Sequence, residues 1–297
     1  MSRLLTLLLV LALFPAGAPR ADESLPAGEA DSGRAAWCSR TSASVRAALY
    51  DPNHRLSFKN PSGRFRTGLC WWHSRYTRSS AYIARFLPDQ PKLPRKEMIR
   101  RIHRLAYMDG VTEFPGYANL WEMSKDWKPE ITDALNDWQL RDALTRNSIT
   151  RGWAGRPTPK PDLLQRFMDE MFERVEVEGH VGFHKLKLRK LEYGSHAWLV
   201  LAMERFPGGY ILDILDSNST GVHKILYLDG DGVIGWRQPD GVEDKYGAWA
   251  MKAYGETFPF EQDTTDYGHF ARALEKYCGA DYVPPGAVRI KRPEQPE

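Results

Sequence analysis

Three residues that lie far apart in the chain carry side chains that together could perform nucleophilic chemistry. Cys70 lies in a Gly-Leu-Cys-Trp segment, His196 lies in a Gly-Ser-His-Ala segment, and Asp216 ends an apolar run. A cysteine beside an imidazole can attack a carbonyl carbon, and a carboxylate can orient the ring and stabilise its charged form. The order thiol, imidazole, carboxylate therefore predicts a covalent hydrolase or acyl-transfer site.

Cys70 is predicted to stand at the amino end of a helix. From Cys70 to Leu87, aromatic and aliphatic residues recur at three- and four-residue spacings, and Pro88 follows. The N–H groups and the positive dipole end at a helix amino terminus favour thiolate over thiol, so this position suits a nucleophile. His73 comes one turn later and should point along the flank of the helix, which makes His196 the predicted base.

His196 and Asp216 are predicted to lie on successive strands of an antiparallel sheet. After Phe172 the apolar residues alternate with polar ones, and turn sequences such as Asp-Gly-Asp-Gly at 229–232 separate the runs. The predicted strands cover 175–191, 196–201, 209–215, 223–228 and 233–236. Asp213 is a weaker candidate for the third residue, because it should face the opposite side of its strand from Asp216.

The first half of the chain has helical periodicity instead. Helices are predicted over 42–50, 95–108, 115–127, 130–145 and 161–172, and a further one at 267–277. Helices first and sheet second predict an α+β fold. We expect one domain over 37–283, with an N-terminal helical lobe at 37–172 and a C-terminal antiparallel β-sheet lobe at 173–283.

The order of these segments resembles that of papain-like cysteine peptidases. Gly-Leu-Cys-Trp around Cys70 is similar to the family's Gly-Ser-Cys-Trp nucleophile segment, and Ser-His-Ala around His196 is similar to its Asn/Asp-His-Ala segment. The resemblance implies a papain-like fold with a cleft between the lobes and a triad of Cys70, His196 and Asp216. It further implies a hydrolase that cleaves peptide or amide bonds in a peptide or protein substrate and needs no cofactor.

The sequence departs from the family at the residues that support the triad. The family has an asparagine as third residue and a glutamine shortly before the cysteine, where this chain has Arg64. We predict Asp216 as the third residue, because a carboxylate stabilises an imidazolium more strongly than an amide does, with Asn218 as the alternative. Asn60 is the predicted replacement for the glutamine as oxyanion donor, together with the Cys70 N–H.

Two of the ten tryptophans are expected to border the cleft. Trp71 follows the nucleophile directly, and Trp198 follows the histidine by two residues. Flat apolar side chains in these places could hold substrate groups. The sequence therefore predicts Trp71 and Trp198 as substrate-binding residues.

Two other interpretations of the triad stay open. Transglutaminase-like or amidase-like enzymes perform acyl transfer on the same three residues, and His-Ala-Trp at 196–198 suits the former, although their cysteine and histidine are generally closer in sequence. A catalytically inactive secreted binding domain is the second interpretation. In that case Cys70→Ala would leave the function unchanged.

The amino terminus predicts export. Arg3 precedes an apolar run at 4–14, which is shorter than the roughly 20 residues that cross a bilayer, and no later stretch approaches that length. We expect a signal peptide at 1–21, a flexible leader at 22–36, a flexible tail at 284–297 and a secreted or periplasmic protein with no integral membrane span. Of the three cysteines, Cys38 and Cys278 lie near the ends and could form a disulfide, which leaves Cys70 reduced.

Composition, charge and histidine spacing do not indicate a disordered protein, a nucleic-acid-binding protein or a metal site. The chain has 297 residues, 42% hydrophobic and 27% charged, which is ordinary for a globular protein, and its formal net charge of +3 does not indicate nucleic acid as a partner. His180 and His184 are four apart, but they fall in a predicted strand, so we predict no metal site.

Overall fold

Helices dominate the first half of the described chain, and the second half combines six strands with two long helices. The computed structural model describes residues 32–61, 68–146, 161–188, 195–219, 221–228, 233–235, 251–253, 257–279 and 282. Its helices are α1 (Ser32–Cys38), α2 (Ser42–Ala48), α3 (Cys70–Ile83), α4 (Arg95–Ala106), α5 (Leu120–Asp126), α6 (Lys128–Arg146), α7 (Pro161–Phe172) and α8 (Thr257–Cys278). Its strands are β1 (Ala84–Leu87), β2 (Thr112–Pro115), β3 (Gly182–Leu188), β4 (Ser195–Phe206), β5 (Gly209–Asp216), β6 (Val222–Leu228), β7 (Val233–Gly235) and β8 (Met251–Ala253). The predicted α+β class is confirmed.

Local sequence explains where several helices begin. Thr41 and Ser44 form a reciprocal capping box at the start of α2, and Asn119 accepts a hydrogen bond from the Glu122 N–H at the start of α5. Helix α4 buries residues at positions 98, 102, 105 and 106, which lie on one helical face. These helices therefore form where caps and apolar periodicity agree.

The strands β3 to β8 form a closed antiparallel barrel in which each strand pairs with its neighbours in sequence, and β3 pairs with β8. The β4–β5 hairpin turns at Gly208, whose φ of 104° suits glycine. In this hairpin Trp198 lies directly opposite Asp216. Because side chains alternate along a strand and opposite residues share a face, His196, Trp198 and Asp216 lie on one face of the sheet.

The two faces of the β4–β5 hairpin belong to two different apolar cores. Ala197 and Leu199 join the larger core, which includes residues of α3, α4 and α6. Trp198, Val200 and Ile214 join a second core, which includes Met168 and Met171 of α7. Helix α3 packs directly on β4, where the Ser74 hydroxyl donates to the Ala197 carbonyl over 3.3 Å. This packing brings the amino end of α3 to the strand that carries His196.

The predicted disulfide joins the first and last helices. Cys38 in α1 is bonded to Cys278 in α8, and their Cα atoms lie 5.8 Å apart. This bond fits an extracellular location, because disulfides persist in oxidising compartments. None of the helices within the described ranges is long and apolar enough to cross a membrane.

The last five residues of the leader expected at 22–36 belong to α1, which begins at Ser32, and residues 22–31 lie outside the described residues. Arg34 in this helix donates to the Tyr277 carbonyl and lies 4.4 Å from the centre of the Tyr277 ring. The disulfide and this contact order a segment whose composition alone predicts mobility. The expected signal peptide at 1–21 and tail at 284–297 lie outside the described residues.

Several stretches differ from the predicted secondary structure, including β8, which was not predicted, and α8, which begins at Thr257 rather than near residue 267. The helix predicted from Cys70 to Leu87 ends at Ile83, and the next four residues form β1, which pairs in parallel with β2. Val175 and Val177, predicted as strand, lie in a π-helical turn that continues α7. Val175 is fully buried and Val177 is 65% exposed, so an alternation over two residues did not distinguish a strand from a helical turn.

Candidate active site

Cys70 is the first residue of α3. The preceding residue, Leu69, stands at the N-cap position with φ −96° and ψ 18°, and its side chain makes no capping hydrogen bond. Leucine is a poor N-cap residue because it has no oxygen to accept a bond from the first-turn N–H groups. Cys70 therefore lies at the positive end of the helix dipole, where a thiolate is favoured over a thiol.

His196 and Asp216 form a short, buried contact across the β4–β5 hairpin. The His196 Nε2 and the Asp216 Oδ1 lie 2.6 Å apart, and the carboxylate is 2% exposed. The Asn218 N–H donates to the same oxygen over 2.8 Å. Asp216 is thus held on two sides, and it holds the imidazole in one orientation.

The His196 ring also hydrogen-bonds the Cys70 side chain. Because Nε2 faces Asp216, Nδ1 is the ring nitrogen left for the sulfur. Burial lowers the pKa of His196, but the hydrogen bonds and charges of Asp216 and Cys70 outweigh it and raise the pKa to about 10. Burial raises the pKa of Asp216, but the His196 hydrogen bond and charge lower it below its ordinary value. The arrangement favours a charged imidazolium beside a carboxylate at neutral pH.

His73, the other histidine near the sulfur, has a different environment. Its Nε2 lies 2.9 Å from the Phe58 carbonyl oxygen, so the ring donates there in its neutral form. Burial lowers the pKa of His73 to about 4, although the Phe58 bond and Asp216 act in the opposite direction. His73 is therefore neutral where His196 is charged, and His196 is the histidine whose ring hydrogen-bonds the Cys70 side chain.

The candidates for the third residue are separated by the face on which they lie. Asp213 points away from the histidine, where its carboxylate meets Lys224 Nζ at 2.6 Å and the Tyr50 hydroxyl at 3.0 Å. The Asn218 side chain binds Asn60 rather than the imidazole. Asp216 is the one of the three candidates that contacts His196.

Asn60, the predicted oxyanion donor, lies between the nucleophile segment and the end of β5. Its Oδ1 accepts from the Leu69 N–H over 2.8 Å, and its Nδ2 donates to Asn218 Oδ1 over 3.1 Å. Its backbone N–H donates to the Ser217 carbonyl over 2.7 Å. Both ends of the Asn60 amide are therefore engaged with neighbours of the triad. Arg64, which replaces the family's glutamine, lies outside the described residues.

The two tryptophans predicted to bind substrate have unequal positions. Trp71 is half-buried and packs edge-on against Phe183, with ring centres 4.5 Å apart. Trp198 is fully buried, and its ring lies edge-on to His196 at 5.8 Å. A fully buried side chain has no surface for a ligand, so the predicted role of Trp198 in substrate binding is wrong. Trp198 packs against the His196 ring instead.

Sequence reasoning did not find the ionic cluster that holds α3 in place. Arg75 and Arg78 of α3 are both buried, and both bind Asp266 of α8. Arg75 also contacts Asp142 of α6 at 3.3 Å. The available signal was the pair of arginines three residues apart on a helix with no acidic residue, but their partners lie too far along the chain to be identified from it.

Comparisons of this chain with protein-family models, with curated proteins and with solved structures returned no match. The functional argument consequently depends on the geometry of Cys70, His196 and Asp216 and on the residues that position them.

Proposed function

We propose that this protein is an exported cysteine hydrolase that cleaves peptide or amide bonds with a Cys70–His196–Asp216 triad. The observation that carries the proposal is the hydrogen-bonded series from sulfur to imidazole to buried carboxylate, with the sulfur at the amino terminus of a helix. A structural cysteine would gain nothing from a charged imidazole beside it. A nucleophile gains a thiolate held as an ion pair.

In the acylation step the Cys70 sulfur attacks the carbonyl carbon of the substrate, and the carbonyl oxygen becomes an oxyanion. The first-turn N–H groups of α3, including that of Cys70, are the donors that this geometry offers to the oxyanion. His196 then gives its proton to the leaving amine, and the tetrahedral intermediate collapses to a thioester. Asp216 keeps the ring oriented and stabilises its charge throughout the step.

In the deacylation step neutral His196 takes a proton from water as the water attacks the thioester carbonyl. A second oxyanion forms in the same place, and its collapse releases the acid and returns the sulfur as thiolate beside the reprotonated ring. The two steps use His196 first as acid and then as base. Both roles require that Asp216 holds one ring nitrogen while the other faces the sulfur.

The arrangement of the lobes supports a papain-like assignment. The thiol comes from a helical region, and the imidazole comes from an antiparallel barrel that follows it in sequence. A peptide or protein is the substrate class that this assignment implies, and the half-buried Trp71 beside the nucleophile would be one wall of its site. The disulfide supports action outside the cytoplasm.

Transglutaminase-like acyl transfer is the second candidate, and one observation favours it. The third residue is a carboxylate, whereas papain-like enzymes have an amide there. The two candidates share the thioester and differ in what resolves it, which is water for a hydrolase and an amine for a transferase. Adding a primary amine to a thioester-forming reaction and weighing the products would distinguish them.

The proposal is tested by alkylating the protein with iodoacetamide across a pH series and following the intact mass. Cys38 and Cys278 are joined, so the label reports Cys70. We expect labelling of the wild type near pH 6, and about 10²-fold slower labelling of His196→Ala, because an ordinary thiol with a pKa near 8.5 is under about 1% thiolate there.

Asp213→Asn is the matched control for the triad carboxylate, since it removes a charge from the opposite face of the same strand. Asp213→Asn should label like the wild type, and Cys70→Ala should not label. Equal labelling rates for the wild type and His196→Ala at every pH would contradict the proposed ion pair. Hydrolysis of a peptide-amide library by Cys70→Ala at the wild-type rate would contradict the nucleophile.

A further inference from the structure

The side chain of Asn60 connects the segment before the nucleophile to the segment after the acid. On one side it accepts from the N–H of Leu69, which immediately precedes Cys70. On the other side it donates to Asn218, which lies two residues after Asp216 and whose own N–H donates to the Asp216 carboxylate. One amide therefore joins the helical lobe to the end of a barrel strand.

These contacts close a ring of hydrogen bonds around the site. It runs from the Leu69 N–H to Asn60, from Asn60 to Asn218, from Asn218 to Asp216, from Asp216 to His196 and from His196 to the Cys70 sulfur. The covalent bond from Leu69 to Cys70 completes it. Because the ring of bonds is closed, displacement of any one residue in it changes the distance between the Cys70 sulfur and the His196 imidazole.

The direction of each bond in the amide bridge is determined by chemistry. A backbone N–H can only donate, so the Asn60 atom that faces Leu69 must be its oxygen. The other end is then the nitrogen, and Asn218 presents its oxygen to that nitrogen. Gly68 provides the space, since a Cβ at this position would lie 3.2 Å from Asn60 Nδ2.

We propose that Asn60 and Asn218 form an amide bridge that positions Cys70 against His196, and that Asn60 acts as a positioning residue rather than as an oxyanion donor. The inference rests on the proposed thiol chemistry and adds the element that sets its geometry. A displacement of about 1 Å at a reacting group can lower a rate about 10²-fold, so a bridge of this kind has a measurable effect on the nucleophile.

The test changes which residue of the amide bridge donates and which accepts the hydrogen bond. In Asn60→Asp the new carboxylate still accepts from Leu69, and the Asn218 amide can rotate to donate to it. In Asn218→Asp the Asn60 nitrogen still has an acceptor. In the double variant two carboxylates face each other across a distance that was 3.1 Å in the amide pair, and they repel. The backbone bond from Asn60 to Ser217 persists in all three.

The readout is the pH profile of iodoacetamide labelling at Cys70, in proteins whose folding is verified by circular dichroism. We expect each single variant to label within about threefold of the wild type near pH 6, and the double variant to label about 10- to 100-fold more slowly. The profile of the double variant should move towards that of His196→Ala. If the labelling rate of the double variant, relative to the wild type, equals the product of the relative rates of the two single variants, the bridge is overturned.

Alkylation forms no oxyanion, so it also separates positioning from oxyanion stabilisation. Asn60→Ala should lower the labelling rate, whereas a pure oxyanion donor would leave labelling unchanged and lower amide hydrolysis by about 10²–10³-fold. If Asn60→Ala does not fold, Asn218→Ala breaks the bridge from the other side, and wild-type labelling of it overturns the proposal. Failure of the thiol chemistry itself is distinguishable, since the wild type would then label independently of His196.

Discussion

Helix α3 takes part in two buried groups of charged side chains, and they are built differently. At its first residue, Cys70 meets His196 from the barrel, and His196 in turn binds Asp216. In its second turn and beyond, Arg75 and Arg78 meet carboxylates from two other helices. Both groups are almost completely removed from water, so each must compensate for the loss of hydration with internal partners.

The arginine group has a permanent and balanced set of charges. Arg75 binds Asp266 through two bonds of 2.7 and 3.0 Å, and Arg78 binds the same carboxylate at 2.6 Å. Asp142 faces Arg75 at 3.3 Å and also accepts from the Trp72 indole N–H at 3.0 Å. Two guanidinium groups thus face two carboxylates, and aromatic rings cover them, with Arg75 lying 4.2 Å from the centre of the Trp138 ring.

The triad differs because its charges can move. Arginine keeps its proton in proteins, whereas a thiol and an imidazole can exchange one between them. The arginine group therefore attaches α3 to α6 and α8, whereas the triad is the group for which we propose reactivity. Under the proposed function, burial of polar groups on this helix serves two purposes: the arginine group holds the helix in place, and the triad acts at its first residue.

The largest expected effect is on the arginine group. In Asp266→Asn two buried guanidinium groups lose the carboxylate they share, and we expect a loss of about 3–5 kcal/mol in the free energy of unfolding. The label rate at Cys70 should change little in the molecules that remain folded. Urea unfolding followed by tryptophan fluorescence measures the first quantity, and iodoacetamide labelling without urea measures the second.

Asp126→Asn is the matched control for this substitution. Asp126 pairs with Lys92 at 2.8 Å, but both side chains are largely exposed. An exposed pair contributes at most about 1 kcal/mol, so this variant should unfold close to the wild type. Similar losses in Asp126→Asn and Asp266→Asn would contradict the structural role assigned to the arginine group.

At the triad carboxylate we expect a large effect on labelling and a smaller effect on stability, the reverse of the effects expected at Asp266. Asp216→Asn keeps a hydrogen-bond acceptor for the ring but removes the charge that stabilises the imidazolium, so labelling near pH 6 should slow by about 10- to 100-fold. The loss of stability should be smaller than in Asp266→Asn, because no permanently charged partner is left buried. Asp213→Asn on the opposite face should change neither the labelling rate nor the pH profile.

Much of the fold could be predicted because its signals are local. The helix predicted at 161–172 coincides with α7, and the turn sequences at 206–209 and 229–232 predicted hairpins whose flanking strands pair as β4 with β5 and β6 with β7. The alternation from Asp213 to Asp216 likewise predicted which of the two faces the histidine. These inferences needed only the period of apolar residues and the conformational preference of glycine.

The remainder depends on contacts between residues that are distant in sequence. The parallel pairing of β1 with β2 ends α3 at Ile83, and nothing within the stretch itself indicates a partner almost thirty residues later. Trp198 was predicted at the cleft because it follows His196 closely, but its burial is decided by α7 packing on the same face. The role of Asn60 appears only when Leu69 and Asn218 are adjacent in space.

The dependence of stability on pH gives the last distinction between the two groups. His196 has a pKa raised from 6.5 to about 10, so the folded state binds its proton more tightly than the unfolded chain does. The tighter proton binding by His196 stabilises the folded state; this stabilisation is complete below pH 6.5 and is lost as the pH rises through about 10. Asp216, whose pKa is lowered, contributes above its ordinary pKa and loses that contribution as the pH falls.

We therefore expect the difference in unfolding free energy between the wild type and His196→Gln, measured in urea, to decrease from pH 6 to pH 10. The corresponding difference for Asp266→Asn should stay constant over this range, because arginine does not titrate there. A His196→Gln difference that is constant or grows with pH would mean that the ring is neutral in the folded protein, and the ion pair with Cys70 would have to be abandoned.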